Sequence, residues 1–338
     1  RLILSGTALA ALLSASCSRN ADPKTVEFDS CISALTNPAR FADTPLGTPH
    51  LESTYDRTGG NQDYWSIKTP DPDGLYTIVS AKGPGCVKRL WQTSVSAIEY
   101  FFFVDGEKEA RLRFKNAELF GEGRLFETPL VGLVSGGSYC YVPIPFAKSV
   151  RIAVSLPQAP RSGDMRFFQV NYDTYDDSIH VESFPKALSV AQTEALARAR
   201  AVWATKEEGA KKAVEACAQT ASLTLPPRQS VVWLRQDTPG ILRTFWIQMD
   251  DTPDMTAWTR ARRLREVVLR FYWDNAAEPS VEVPLGDFFC NGLHRRTFSS
   301  LPISVLQDKS VCRFPMPFHK SVRAELRNDG GKPVPIKV

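Results

Sequence analysis

The sequence has no Cys-x-x-Cys pair, which speaks against a structural zinc site, and neither a metal nor an organic cofactor is expected. It has no Gly-rich phosphate loop, no nucleophile elbow and no His-Glu-x-x-His pattern, which excludes P-loop, α/β-hydrolase and zincin chemistry. Lys and Arg are scattered among acids for a formal net charge of +4, and no basic run carries interleaved aromatics, so nucleic acid is not an expected partner. The apolar run near the N-terminus is too short to span a membrane. What the chain does have is 24 prolines, 7 tryptophans and 338 residues, enough for about two loop-rich domains with full cores.

One sentence is written twice. Residues 140–151 read CYVPIPFAKSVR and residues 312–323 read CRFPMPFHKSVR, with eight of twelve positions identical. Chance does not produce that match, so the chain carries a duplicated structural unit. Earlier parts of the unit recur in order. Gly83-Pro84-Gly85 with Trp91 answers Pro239-Gly240-Ile241 with Trp246, and the run 100–104 ending in Asp105-Gly106 answers 268–273 ending in Asp274-Asn275. Glu118-Leu119-Phe120 answers Asp287-Phe288-Phe289. Short β-branched and aromatic runs between Gly, Pro and Asp turns, without intervening helices, predict an all-β fold of tandem jelly-roll or β-sandwich units.

A helical connector joins them. Residues 186–219 are rich in Ala, Glu, Arg and Lys, and Ala191, Ala195, Ala199, Val202 and Trp203 form one apolar stripe. At the N-terminus, Leu2-Ile3-Leu4, an apolar run and small residues up to Cys17 read as an export signal. Cys17 is the candidate lipidation residue of a lipoprotein signal; ordinary cleavage near Ala15 is the alternative. The expected organisation is a signal at 1–17, a polar tether at 18–53, a first jelly-roll unit at 54–184, the connector at 185–225 and a second unit at 226–338. The chain opens on Arg rather than Met, and the second unit's last strand, from Val334, is expected to be cut mid-ladder at Val338. Both features read as a fragment of a longer protein.

Two polar clusters are candidates for chemistry. The loop Thr54 to Trp65 packs Asp56, Asp63, Arg57 and Asn61 with Tyr55, Tyr64 and Trp65 around a Gly pair. Hydroxyl-binding groups beside stacking faces suit a sugar site, and an Asx-type turn stitched by an Asp–Arg pair is the plain alternative. Substrate-binding candidates are therefore Tyr55, Asp56, Arg57, Asn61, Asp63 and Trp65. In the stretch 279–289, strand alternation turns Glu282 away from the core, and a bend could bring Asp287 towards it. Such a carboxylate pair could serve glycoside cleavage, or Glu282 could simply lie on a solvated strand face. Lys148/Lys320 and Arg151/Arg323 recur in both units and are expected to be structural, whereas His294, Arg295 and Arg296 are expected to face a ligand or interface. Cys140 and Cys312 are expected as buried free thiols, and pairing of the other cysteines is not readable from spacing.

The Tyr-Asp-Arg-Thr-Gly-Gly-Asn loop (55–61), the Gly-Pro-Gly strand with Trp91, the PSVEVPLGDFF stretch (279–289) and the PMPFHKS sentence (315–321) together resemble the domain of unknown function 2961, glycoside hydrolase family 172. The resemblance runs from about Thr54 to Val338. It implies jelly rolls assembled into homo-oligomers with active sites near subunit contacts. It also implies retaining hydrolysis of furanosides: α-D-fructofuranosides, difructose anhydrides or D-arabinofuranose in arabinans. The family's catalytic glutamates lie in part within a Gly-Thr-Glu-Asp-Tyr-Phe-like motif that is absent here. The implied protein is an exported furanosidase of the bacterial envelope, held to the membrane only by its lipid anchor, with its catalytic segment outside this fragment. A non-catalytic carbohydrate-binding or envelope scaffold protein is the alternative.

Overall fold

The computed structural model describes residues 25–61, 63, 69–93, 98–123, 125–158, 167–217, 219–249 and 255–338. The signal segment, Cys17, Tyr64 and Trp65 lie outside the described residues. In chain order the first half holds β1 (Thr25–Val26), α1 (Phe28–Ala34), β2 (Gly47–Ser53), β3 (Tyr76–Lys82), β4 (Gly85–Thr93), β5 (Glu99–Val104), β6 (Leu112–Lys115), β7 (Val131–Val134), β8 (Gly137–Cys140), β9 (Ile144–Phe146), β10 (Ser149–Ser155), β11 (Phe168–Tyr175) and β12 (His180–Val181). Helices α2 (Val190–Ala204) and α3 (Lys206–Glu215) follow. The second half holds β13 (Ser222–Leu225), β14 (Ser230–Gln236), β15 (Gly240–Leu242), β16 (Phe245–Met249), α4 (Ala257–Glu266), β17 (Val267–Trp273), β18 (Val281–Pro284) and α5 (Leu285–Phe288). It closes with β19 (Phe298–Ser299), β20 (Ile303–Val305), β21 (Ser310–Cys312), β22 (Met316–Phe318), β23 (Val322–Asn328) and β24 (Val334–Lys337).

Period-two alternation builds the sandwiches. In β5, Tyr100, Phe102 and Val104 are buried while Glu99, Phe101 and Phe103 are partly exposed. The first unit pairs a sheet of order β3-β10-β5-β6 with one of order β2-β11-β4-β8-β7, in which β9 also pairs with β4. The second repeats this as β14-β23-β17-β18 and β13-β24-β16-β21-β20-β19, with β15-β22 standing where the β4-β9 pair stands. In both, the first strand lies beside the last, and consecutive strands wrap between the two sheets. That is the jelly-roll path, and the fold is all-β as expected.

β24 pairs with β13 on one side and β16 on the other, and Ala221 and Val338 exchange backbone hydrogen bonds of 2.8 and 3.0 Å. Two expectations are corrected. The stretch expected as a polar tether is built into the first sandwich from Thr25 onward. There β1 pairs with β12, Phe28 packs edge-on against Phe184 at 4.8 Å, and β2 forms a sheet edge on β11. Phe28 and Ile32, spaced four apart, are the apolar face that anchors it. The connector's stripe is also rotated: Leu196 and Ala199 are buried while Val202 is exposed, and the Trp203 indole donates to the Leu35 carbonyl at 2.7 Å.

The duplicated sentence proves to be scaffold. Asp105 and Asp274 both sit at positive φ, 56° and 55°, immediately after β5 and β17. Asp105 Oδ1 accepts from the Lys148 and Ser149 amides at 2.6 and 3.3 Å, and Asp274 Oδ1 accepts from the Lys320 and Ser321 amides at the same distances. The repeated Lys-Ser thus contributes backbone donors. Burial opposes the Asp105 charge, but the Ser183 hydroxyl and the two amides outweigh it and hold the carboxyl below its usual range. The Lys320 amide, aided by that of Ser321, depresses Asp274 likewise. A depressed carboxylate stabilises the fold above its unfolded pKa of about 4, and that contribution is lost as pH falls through the folded value. Asp105→Ala should cost about 1–3 kcal/mol by stranding two amides, and flatten the acid limb of stability against pH, as measured by urea unfolding from pH 7 to 3.

Candidate carbohydrate-binding face

The outer face of the first unit's larger sheet carries an organised polar and aromatic surface. Alternation in β11 buries Phe168, Val170 and Tyr172 and turns Gln169, Asn171 and Asp173 outward. In β4, Leu90 and Gln92 are buried while Arg89 and Trp91 are only half-buried. Registers then set Ser53, Gln169, Trp91, Tyr139 and Gly132 directly opposite one another in a single row across β2, β11, β4, β8 and β7. At about 4.8 Å per strand, that row is about 19 Å long. Beside it runs a second row, Leu51, Asn171 and Arg89.

Two glycines let the aromatic rings lie flat. A Cβ on Gly137 would collide with the Trp91 indole, and one on Gly132 would meet the Tyr139 hydroxyl at 2.8 Å. Each ring therefore lies down on a glycine floor and turns its other side away from the sheet. The Tyr139 hydroxyl donates to the Pro129 carbonyl at 3.3 Å. The aromatic strip continues through Tyr141, 5.6 Å from Tyr139, to Trp203 of α2, 5.4 Å further on. Arg89 Nη1 donates to Gln169 Oε1 at 3.0 Å and to Asn171 Oδ1 at 3.1 Å. Because both amide oxygens are held this way, both amide NH2 groups remain as donors with no partner among the described residues.

The predicted loop hangs from one end of this row. Arg57 Nη1 donates to the carbonyls of Ser53 and Tyr55 at 3.1 and 2.8 Å, and its guanidinium lies 3.6 Å over the Tyr55 ring. Asp56 makes an Asx turn, accepting from the Thr58 amide at 2.9 Å, while Asp63 Oδ1 accepts from the Asp56 amide at 2.6 Å. Arg57 pairs with Glu52 at 3.6 Å rather than with Asp56, which corrects the expected Asp–Arg stitch. Tyr55, Arg57 and Asn61 are exposed.

The candidate carboxylate pair is not brought together. Glu282 faces outward as alternation requires, and there it pairs with Arg270 at 2.7 Å. Arg270 also lies opposite Glu325, which is buried and ion-paired with Arg323. Asp287, in α5, is exposed and lies over Gly292 in the next loop, with no hydrogen bond to Glu282. Arg295 donates to the carbonyls of Gln307 and Leu306 at 2.7 and 2.8 Å. Arg151 and Arg323 cover aromatic rings at 4.2 and 3.6 Å, a structural use. No cluster of three His, Cys, Asp or Glu among the described residues could hold a metal ion.

Sequence reading missed Arg89, Gln169, Asn171 and Tyr139. Their common face depends on long-range register, including an irregularity between Asn171 and Tyr172 that no local pattern reveals.

Two jelly rolls of this kind define a double β-sandwich protein. Comparison places it more closely. The model described as the GH172 first beta-sandwich domain matches residues 48–192, and that described as GH172 domain-like matches residues 215–337. Together these cover most of the chain, which belongs to the GH172 glycoside hydrolase family. No curated protein matches it. Among solved structures it is similar to a protein from Eubacterium rectale described as secreted, at 7% identity over 79% of this chain and 69% of that one, with a TM-score of 0.22. It is also similar to the STIV MCP, at 9% identity over 83% and 96%, with a TM-score of 0.17. At those scores neither carries an argument.

Proposed function

We propose that this chain is the carbohydrate-holding part of an exported furanoside hydrolase, and that the outer face of its first sandwich binds the sugar. The observation that carries this reading is the pair of rings, Trp91 and Tyr139, laid flat on glycine floors beside the free amide donors of Gln169 and Asn171. A sugar presents an apolar C–H face and a rim of hydroxyls, and stacking plus fixed donors satisfies both. α-D-Fructofuranosides and D-arabinofuranosides are the substrates that family membership favours. Cys17 would hold the protein at the bacterial envelope.

A retaining mechanism needs two carboxyl groups about 5–5.5 Å apart. Glu282 is neutralised by Arg270 and Asp287 lies elsewhere, so neither is proposed as nucleophile or acid. Those carboxylates belong to another part of the protein or to a neighbouring subunit of a homo-oligomer. The 338-residue chain should therefore bind arabinofuranose oligosaccharides or difructose anhydride, seen as a change in tryptophan fluorescence, yet release no aryl group from aryl furanosides. Turnover by the chain, abolished in Glu282→Gln, would contradict this assignment. Absence of binding to both sugars at millimolar concentration would contradict the proposed face.

A further inference from the structure

Beneath the first sandwich, two thiols from distant parts of the chain meet. Cys31 lies on α1 and Cys86 on β4, about 55 residues apart in sequence. Both are buried, at 8% and 0% exposure, and pack together in one small cluster with Val26 and Val181. Nothing else ties this corner covalently. β1 and β12 contribute only two residue pairs, and α1 precedes the stretch from residue 48 that the first GH172 model matches.

We propose that Cys31 and Cys86 form a disulfide that staples the N-terminal segment to β4, the strand that carries Arg89 and Trp91. The other described cysteines make a useful contrast. Cys140 and Cys312 each lie in a core cluster that holds no second cysteine, and burial pushes both thiols up to about 12. Cys31 differs: its neighbour Cys86 lowers it against the effect of burial, and the Lys88 ammonium adds to that, while burial raises the Cys86 thiol itself. Cys31 is also the more exposed of the two and is the attacking thiol.

The chemistry needs an oxidant, here a small-molecule disulfide such as oxidised glutathione. The Cys31 thiolate attacks one glutathione sulfur, forming a mixed disulfide and releasing one glutathione thiolate. The Cys86 sulfur, as it gives up its proton, then attacks Cys31 and releases the second glutathione. Two protein thiols become one disulfide, and two electrons and two protons pass to the donor, which leaves as two molecules of reduced glutathione. Closing a loop of this length constrains the unfolded chain strongly.

The test uses the full chain equilibrated in oxidised glutathione. Peptide mapping under non-reducing conditions should find Cys31 joined to Cys86, with two fewer titratable thiols than in the reduced protein. The melting temperature should rise by roughly 5–10 °C over the reduced form. Cys31→Ser should fold as the reduced protein does, but lose the oxidant-dependent rise. A link from Cys31 to any other cysteine, a full thiol count after oxidation, or an unchanged rise in Cys31→Ser would overturn the proposal. None of these outcomes depends on whether the sugar face is correctly assigned.

Discussion

Replacing Trp91 with alanine is expected to weaken binding of furanoside oligosaccharides at least tenfold while shifting the melting temperature by no more than a few degrees. The asymmetry follows from position. Trp91 is half-buried on an outer sheet face, its ring over Gly137 and its neighbours polar, so its loss opens no core cavity. Aromatic anchors of this kind commonly carry 2 kcal/mol or more of binding, and 1.4 kcal/mol is tenfold. A second variant separates ring from geometry. Gly137→Val keeps the indole but fills its floor, so the ring must tilt off the sheet, and affinity should fall towards that of Trp91→Ala. Calorimetric titration of the three proteins with one arabinofuranose oligosaccharide checks both; equal affinities would remove Trp91 from the site.

Deleting residues 334–338 is expected to unfold the second sandwich and leave the first standing. β24 fills the slot between β13 and β16, and Val334, Ile336 and Val338 are 3%, 1% and 9% exposed. Burial of three such side chains is worth roughly 5 kcal/mol, a large share of the 5–15 kcal/mol that holds a domain together. Removing them also strands the ladder groups of both neighbouring strands. Limited proteolysis with mass spectrometry should show rapid cutting within 222–333 and continued protection of 25–184. Equal protection of both halves would mean that β24 is dispensable.

Much of the architecture was legible because the chain repeats itself. The doubled Cys-to-Arg sentence marks β8 to β10 in one unit and β21 to β23 in the other, and its neighbours recur in order. Period-two burial, as in β5 and β11, fixed which side chains face inward, including the outward turn of Glu282. The neighbours of the last strand were not legible: Val334 to Lys337 is short and follows a turn, and only three-dimensional pairing sets it between β13 and β16. The N-terminal segment was misjudged because its anchor is four-residue spacing of Phe28 and Ile32, brief enough to pass for a polar stretch.

The candidate face was legible only in part. The Asp56–Arg57 loop stood out because its residues are adjacent in sequence, and it does sit at the end of the Trp91 row. Arg89, Tyr139, Gln169 and Asn171 meet only through register across four strands, and Gly132 and Gly137 acquire meaning only once a ring lies on each. Proximity in sequence also misled in the other direction. Glu282 and Asp287 are five residues apart, yet a strand end and a short helix turn them to separate surroundings.

The most direct test is a crystal structure of the chain with a bound furanoside oligosaccharide. The expected result is a sugar ring stacked on Trp91 or Tyr139, with hydroxyl oxygens 2.7–3.2 Å from the amide nitrogens of Gln169 or Asn171. A sugar bound elsewhere, with this face empty, would contradict the account.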